Sequence, residues 1–218
     1  MTLTPAAVLI HGMGRTARSM SSLQRLLKRQ GYQVHSVSYP SAQSPMANLC
    51  QDYIAPVLTP LASQGEPIFI VTHSLGGILL RHYLQHHALP KGSRAVMLAP
   101  PNHGSEVADK LKLFRPYRWF TGPVGQQLGT GPGSPLQHFK AIDIELGIIA
   151  GTRSSDPWFN HLFTGPHDGK VSVKSCRLPE MKDFAEVKAG HTFIMNHSIV
   201  QRNIISFFNK GVFNSVLR

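Results

Sequence analysis

The run Ile68-Phe69-Ile70-Val71, breaking off into Thr72-His73-Ser74-Leu75-Gly76-Gly77, constrains this chain more than any other stretch. Four consecutive β-branched or aromatic residues fit a strand buried on both faces of a parallel sheet, not the alternating pattern of a half-solvated one. Past the turn, Leu75, Ile78, Leu79, His82 and Tyr83 recur at helical spacing. The segment therefore reads as strand, sharp turn and helix. Ser74 stands at the bend, its hydroxyl presented at a helix N-terminus where backbone N–H groups favour developing negative charge. That is a place for a nucleophile; the plainer reading is a serine that merely caps the helix.

The small-x-Ser-x-Gly pattern of Thr72 to Gly76 resembles the nucleophile elbow of the α/β-hydrolase superfamily. Gly76 fits the need for a residue without Cβ where helix and strand pack closely. Thr72 departs from the usual first Gly and adds β-branched crowding. Upstream, the apparent strand of residues 6–10 runs into His11-Gly12-Met13-Gly14-Arg15. In that superfamily a His-Gly-x-Gly loop after this strand supplies one oxyanion-hole N–H. The resemblance gives that part to the backbone of Met13, and the second donor to Leu75, directly after the nucleophile. A glycine-rich loop after a strand also suits a phosphate cradle, but no complete G-x-G-x-x-G or Walker sequence is present.

The rest of the chain alternates in the same sense. Residues 16–30 place Met20, Leu23, Leu26 and Leu27 on one helical face, with Lys28 and Arg29 in the last turn and Gly31 as the stop. Residues 33–38 read as a second strand closed by Pro40. Residues 49–61 look helical but contain Pro56 and Pro60, so a broken or kinked helix is expected. Strands follow at 95–98, 146–151 and 185–188, and residues 194–208 contain a closing amphipathic helix. Strand and helix in alternation predict a doubly wound parallel sheet. With 218 residues, one domain spanning 1–218 is expected. The resemblance implies an α/β fold of the minimal α/β-hydrolase kind: six parallel strands in the order 2-1-3-4-5-6, flanked by helices, without the first antiparallel hairpin of larger members.

Two features bear on partners. Lys plus Arg is 22 against 11 for Asp plus Glu, a formal charge of +11 that attracts anionic partners. The basic residues are scattered and no nucleic-acid motif accompanies them, so nucleic acid is not an expected partner. Residues 110–135 interleave Lys110, Lys112, Arg115 and Arg118 with Leu111, Leu113, Phe114, Tyr117, Trp119 and Phe120. They lie where hydrolases insert a lid, and suit either peripheral contact with an anionic membrane or an acyl-lined mouth. The plainer reading is a loop packing its aromatics on the sheet. No apolar run approaches the length of a membrane span, and the first residues lack a basic segment followed by an apolar one, so a cytoplasmic location is expected. Cys50 and Cys176 form no metal or redox pair by spacing and are expected as reduced, buried thiols.

A serine hydroxyl needs a base to take its proton and a third group to hold that base's tautomer. His191, in Gly190-His191-Thr192-Phe193 after the sixth strand, stands where the superfamily carries its histidine; His197 is the alternative. Asp168, in Asp168-Gly169-Lys170-Val171, resembles the turn that carries the acid in lipase-like members; Asp156 is its rival. If Asp168 serves, Trp158, Phe159 and Phe163 are candidate acyl contacts. Pro101-Asn102-His103-Gly104-Ser105 resembles a Pro-His-x-Gly-Ser segment of many lipases, or is simply a tight connection capped by Ser105. The resemblance implies a serine esterase or lipase acting on a small, lipid-like carboxylic ester and requiring no metal or cofactor. Thioester hydrolysis or acyl transfer would use the same residues. A catalytically silent protein that binds an anionic ligand or membrane is the reading from another class.

Overall fold

The structure, a computed structural model, describes residues 4–154 and 157–214. Its strands are β1 (Ala6–Ile10), β2 (Gln33–Val37), β3 (Ile68–His73), β4 (Arg94–Leu98), β5 (Glu145–Gly151) and β6 (Asp183–Val187). They form one sheet in the order β2-β1-β3-β4-β5-β6, every pairing parallel. The helices are α1 (Ser21–Arg29), α2 (Met46–Leu49), α3 (Ala55–Ala62), α4 (Leu75–Leu84), α5 (Glu106–Leu111), α6 (Arg115–Gly125), α7 (Val173–Cys176) and α8 (Ser198–Lys210).

Why both faces are covered follows from the strands themselves. Along β1, Ala7 and Leu9 point into one apolar core, and Val8 and Ile10 into the other. The first core is closed by Leu23 and Leu27 of α1 and by Val200, Ile204, Phe207 and Phe208 of α8. The second is closed by Met46, Leu49, Ile54, Leu58 and the apolar face of α4. With period-two alternation feeding two cores, every residue of a central strand must be apolar or small, which is why β3 and β4 read as continuous hydrophobic runs. The outer strand β2 is buried in full only at Val37.

The expected break at Pro56 takes a specific form. Helical winding persists from Met46 to Ala62, but Cys50–Ile54 widens into a π-helix and the Ala55 N–H bonds Cys50 O. Proline has no N–H and clashes with the carbonyl four residues earlier; the wide turn ahead of Pro56 relieves that demand without ending the helix. The closing helix, α8, starts at Ser198, after His191–Asn196 has formed a 3-10 turn. Gly211, at φ 70°, ends α8 in the left-handed region.

Residues 110–135 are more regular than their composition suggested. They contribute the end of α5 and all of α6. Cys50 and Cys176 are both free and buried, and burial pushes the Cys50 thiol up to about 12. No helix among the described residues is long and apolar enough to cross a membrane.

Leu9 is wholly buried between the sheet and the α1–α8 layer. Leu9→Ala is expected to cost about 2–5 kcal/mol of unfolding free energy, read as a lowered urea midpoint with an unchanged slope.

Candidate functional site

The end of β3 is a backbone device before it is a chemical one. Ser74 has φ 50° and ψ −120°, one of two non-glycine residues with positive φ among those described. Its N–H bonds Leu98 O at 2.9 Å, tying the bend to the end of β4. The chain can turn so sharply only because α4 passes very close to β1: a Cβ on Gly76 would lie 2.6 Å from Ile10 O and 2.7 Å from His11 O. Thr72 is accommodated in the motif's first position because it remains a strand residue, opposite Ile10 and Met97. Gly77 leaves it room, since a Cβ there would come to 3.2 Å from the Thr72 hydroxyl.

Ser74 does not act as a side-chain cap for α4. Its hydroxyl instead donates to His191 Nε2 at 3.0 Å. On the other side of the ring, His191 Nδ1–H donates to Asp168 Oδ2 at 2.7 Å. Asp168 Oδ1 accepts from the N–H groups of Lys170 (3.0 Å) and Val171 (2.9 Å), so the turn after the acid fixes its orientation. Gly169 occupies the positive-φ position of that turn. The His191 N–H closes onto Asp168 O at 3.1 Å. Asp168 is 1% and His191 6% exposed, so this chain of hydrogen bonds is shielded up to the serine.

Of the alternatives, His197 is the N-cap of α8 and its N–H bonds Ile194 O. Asp156 lies outside the described residues. Met13 and Leu75 flank the same spot, Met13 lining the cavity above Ser74 and Leu75 opening α4. Among the described residues neither of their N–H groups is given to another acceptor.

That cavity encloses about 390 Å³. Val107, Ala108, Leu111, Phe120, Leu128 and Phe159 give it an apolar wall, with Tyr117 and Thr121 beside them. Of the three aromatics anticipated as acyl contacts, only Phe159 reaches it. Trp158 is 67% exposed, and Phe163 is stacked on His167 at 4.0 Å between ring centres. In the 101–105 segment, Pro101 and Ser105 line the cavity. Ser105 caps α5 by accepting from the Ala108 N–H, while its hydroxyl donates to Lys170 O. Asn102 points the other way: fully buried, it donates to Cys176 O and its own carbonyl accepts from the buried Arg81. The capped-connection reading is the one this geometry fits.

Two histidines that stand in these motifs, but to whose side chains the motifs assign no part, support the site. His73 Nε2–H donates to His191 O at 2.9 Å, and the two rings are 4.9 Å apart. His11 Nδ1–H donates to Gly12 O, its Nε2 accepts from the Tyr39 N–H, and Tyr39 stacks on it and donates its hydroxyl to His11 O. Each hydrogen-bond set selects one neutral tautomer. Burial is the first cause that holds both below the ordinary 6.5, with the nearby His191 adding for His73, and Arg15 adding for His11 against a raising bond to Gly12. Only their place beside the turn, at Ser74 minus one and before Gly12, hinted at this.

The sign of the resulting pH dependence follows. Unfolded, both imidazoles protonate near 6.5; folded, both stay neutral to lower pH, so the unfolded chain binds more protons below that value. Their contribution is fully present well above pH 6.5 and is lost as pH falls through and below it, at up to about 1.4 kcal/mol per pH unit for each group. Urea unfolding at pH 7.5, 6.5 and 5.5 is expected to show a midpoint that drops mainly across the lower interval; a flat profile would contradict buried neutral histidines.

Comparisons agree with this arrangement at the level of the fold. Residues 7–195 match the family model described as "Alpha/beta hydrolase family". Among proteins with curated functions, none matches the chain in sequence. Among solved structures, the mature lipase BlEst2 of Bacillus licheniformis superposes with a TM-score of 0.76 at 19% identity, over 95% of this chain and 93% of that one. The phospholipase PlaB of Legionella pneumophila gives 0.68 at 17% identity, over 94% of this chain and 57% of the other. A monoacylglycerol lipase of Paleococcus ferrophilus gives 0.59 at 16% identity, over 95% of both chains. The match to the family model spans far more than half of the chain, which belongs to the α/β-hydrolase family.

Proposed function

We propose that this protein is a serine hydrolase of carboxylic esters with lipid-like acyl groups. The observation that carries the reading is the hydrogen-bonded chain from the Ser74 hydroxyl through His191 to buried Asp168, opening onto an apolar cavity of about 390 Å³. In the first step the Ser74 oxygen attacks the ester carbonyl as its proton passes to His191 Nε2. Asp168 keeps the ring's Nδ1 protonated and steadies the imidazolium that forms. The N–H groups of Met13 and Leu75 hold the oxyanion, a role of which one donor is typically worth roughly 3–4 kcal/mol of barrier. As the tetrahedral species collapses, the bond to the alcohol oxygen breaks and that oxygen takes the proton from His191. Water then repeats the sequence: His191 accepts its proton, the hydroxide oxygen bonds the acyl carbon, and Ser74 leaves reprotonated.

Purified protein is expected to react covalently with a fluorophosphonate probe, and Ser74→Ala to abolish the label. Asp168→Asn should lower kcat by roughly 10⁴-fold with little change in KM, because the imidazole settles in the unproductive tautomer. Full turnover of short-chain nitrophenyl esters by Ser74→Ala would remove the reading.

The mouth of the cavity supports peripheral contact with an anionic membrane, residues 110–135 acting as a short lid. On α5, α6 and the link between them, Trp119 is 86% and Leu113 82% exposed, with Phe114 and Phe120 also mostly exposed. Lys110, Arg115 and Arg118 stand among them. Apolar side chains that enter the acyl boundary beside cations that meet anionic headgroups are the recognised elements of an interfacial surface. Co-sedimentation with vesicles containing phosphatidylserine should weaken about tenfold in Trp119→Ser, the loss of one buried aromatic, and weaken further on neutral vesicles. Equal partition of parent and variant would count against the contact.

A further inference from the structure

Beside the Ser74 cavity lies a second hollow, of about 610 Å³, that the ester reaction leaves unused. Its wall comes from the loop after β1, the start of α1 and the residues that follow His191. Arg15, Arg18 and Arg25 line it together with Ser22, Phe193 and Asn196, and no carboxylate does so among the described residues. The sequence accounts for that imbalance. The first 51 residues carry Arg15, Arg18, Arg25, Lys28 and Arg29 but not one Asp or Glu, Asp52 being the first acid in the chain.

Arg15 belongs to both cavities, as does Gly14. Its guanidinium is braced without being neutralised. Nη2 donates to Thr192 O at 2.8 Å, the Phe193 ring lies 5.3 Å from the guanidinium carbon, and the buried Nε has no partner among the described residues. The contacts that orient Arg15 are thus a carbonyl and a ring face. Both leave its charge intact, and they place it at the junction of an apolar cavity with a cationic one. Three guanidinium groups on one wall repel one another unless an anion joins them, and their planar donor forks match an oxyanion.

Position decides what such an anion would be attached to. Met13, the proposed oxyanion donor, directly precedes Gly14 and Arg15, so a substrate with its acyl chain in the apolar cavity has the junction as a route for its alcohol. We infer that the second hollow binds a phosphate-class oxyanion carried on the alcohol of the ester, held by Arg15, Arg18 and Arg25, which makes the substrate an anionic ester. This rests on the serine-hydrolase reading and adds to it the chemistry of the leaving group.

The test compares 1-butyrylglycerol with 1-butyrylglycerol 3-phosphate, both soluble as monomers, so that attraction to a lipid surface does not enter. The parent should favour the phosphorylated ester by about tenfold or more in kcat/KM. In the double substitution Arg18→Gln with Arg25→Gln, that ratio should fall at least about fivefold, as expected from losing two partly exposed charge-assisted contacts. Lys28→Gln removes one of the same charges from α1 outside the hollow and should leave the ratio as in the parent. A ratio near one in the parent, or an equal fall in both variants, overturns the proposal. Inorganic phosphate separates the sources: if it binds as tightly as glycerol phosphate while the two esters turn over alike, the hollow takes a free anion and not a substrate group. If neither ester is turned over and Ser74 takes no fluorophosphonate, the hydrolase reading has failed by itself. Glycerol phosphate binding, followed by phosphorus NMR, then decides the hollow: line broadening lost in the double variant supports the oxyanion site, and its absence in the parent overturns it.

Discussion

The close passage of α4 over the end of β1 is the constraint on which the rest of the site depends. A helix can start immediately after β3 only if its first turn lies against Ile10 O and His11 O, and only a residue without Cβ permits that approach at Gly76. The price is Ser74 at φ 50°, a conformation that costs of order 1–3 kcal/mol in a non-glycine residue and persists only where the surroundings over-determine it. Here they do. The Ser74 N–H is tied to Leu98 O, and Ala99, directly after that strand, is itself at φ 46° with its N–H tied to Ile149 O. Adjacent strand ends thus hold each other's bends, and the ladder of the parallel sheet supplies the restraint.

Below the serine the site is supported by polar groups that are buried but kept neutral. His73 holds the backbone of His191 and not its ring, so the imidazole keeps both nitrogens for Asp168 and Ser74. His11, with Tyr39 stacked on it, holds the loop that carries Met13. A charge at either place would be costly in a dry interior and would bear on the His191 imidazolium proposed to form during reaction. Neutral hydrogen bonds give the same geometric control without that repulsion. The arrangement couples the stability of the fold to the protonation of residues that hold the backbone of the site.

How much of this was legible in the sequence depended on whether the governing contact was local. The central strands were readable because burial on both faces leaves no alternation, and β3, its turn and α4 follow one another without a gap. The sheet order and the positions of Ser74, His191 and Asp168 at strand ends followed from the resemblance, which is a property of the order of motifs along the chain. The π-helix at Cys50–Ile54 was not readable, because a proline announces a lost hydrogen bond but not how neighbouring carbonyls rearrange. Nor could Trp158 and Phe163 be told from Phe159: the three stand within six residues, and only tertiary packing turns Phe159 to the cavity while Phe163 stacks on His167. His73 and His11 were hidden for a different reason. Each stands inside a motif that assigns its side chain no part, and its partners, His191 O and Tyr39, are 118 and 28 residues away.

The excess of positive charge is distributed in a way that separates structural from unbalanced cations. Some basic residues serve the fold: Glu145 lies between Arg94 and Lys182, whose hydrogen bonds hold its carboxyl below the ordinary range, and the buried Arg81 donates through Nη1 to Asn102 O with its guanidinium against the Phe139 ring. Around the mouth of the site the balance is different. Among the described residues Arg15, Arg18 and Arg25 share their hollow with no carboxylate, and Arg115 and Arg118 are near exposed aromatics in the sequence. Mutual repulsion among such groups lowers the stability of the compact state, so they are not what holds it together. Arg15 lines both the cavity of Ser74 and the neighbouring hollow, and a cleft lined by one sign of charge concentrates ligands of the other. Buried histidines beneath the serine and a group of arginines beside its cavity thus do different work: the first hold the backbone that carries the reacting groups, the second supply charge at the cavity's edge.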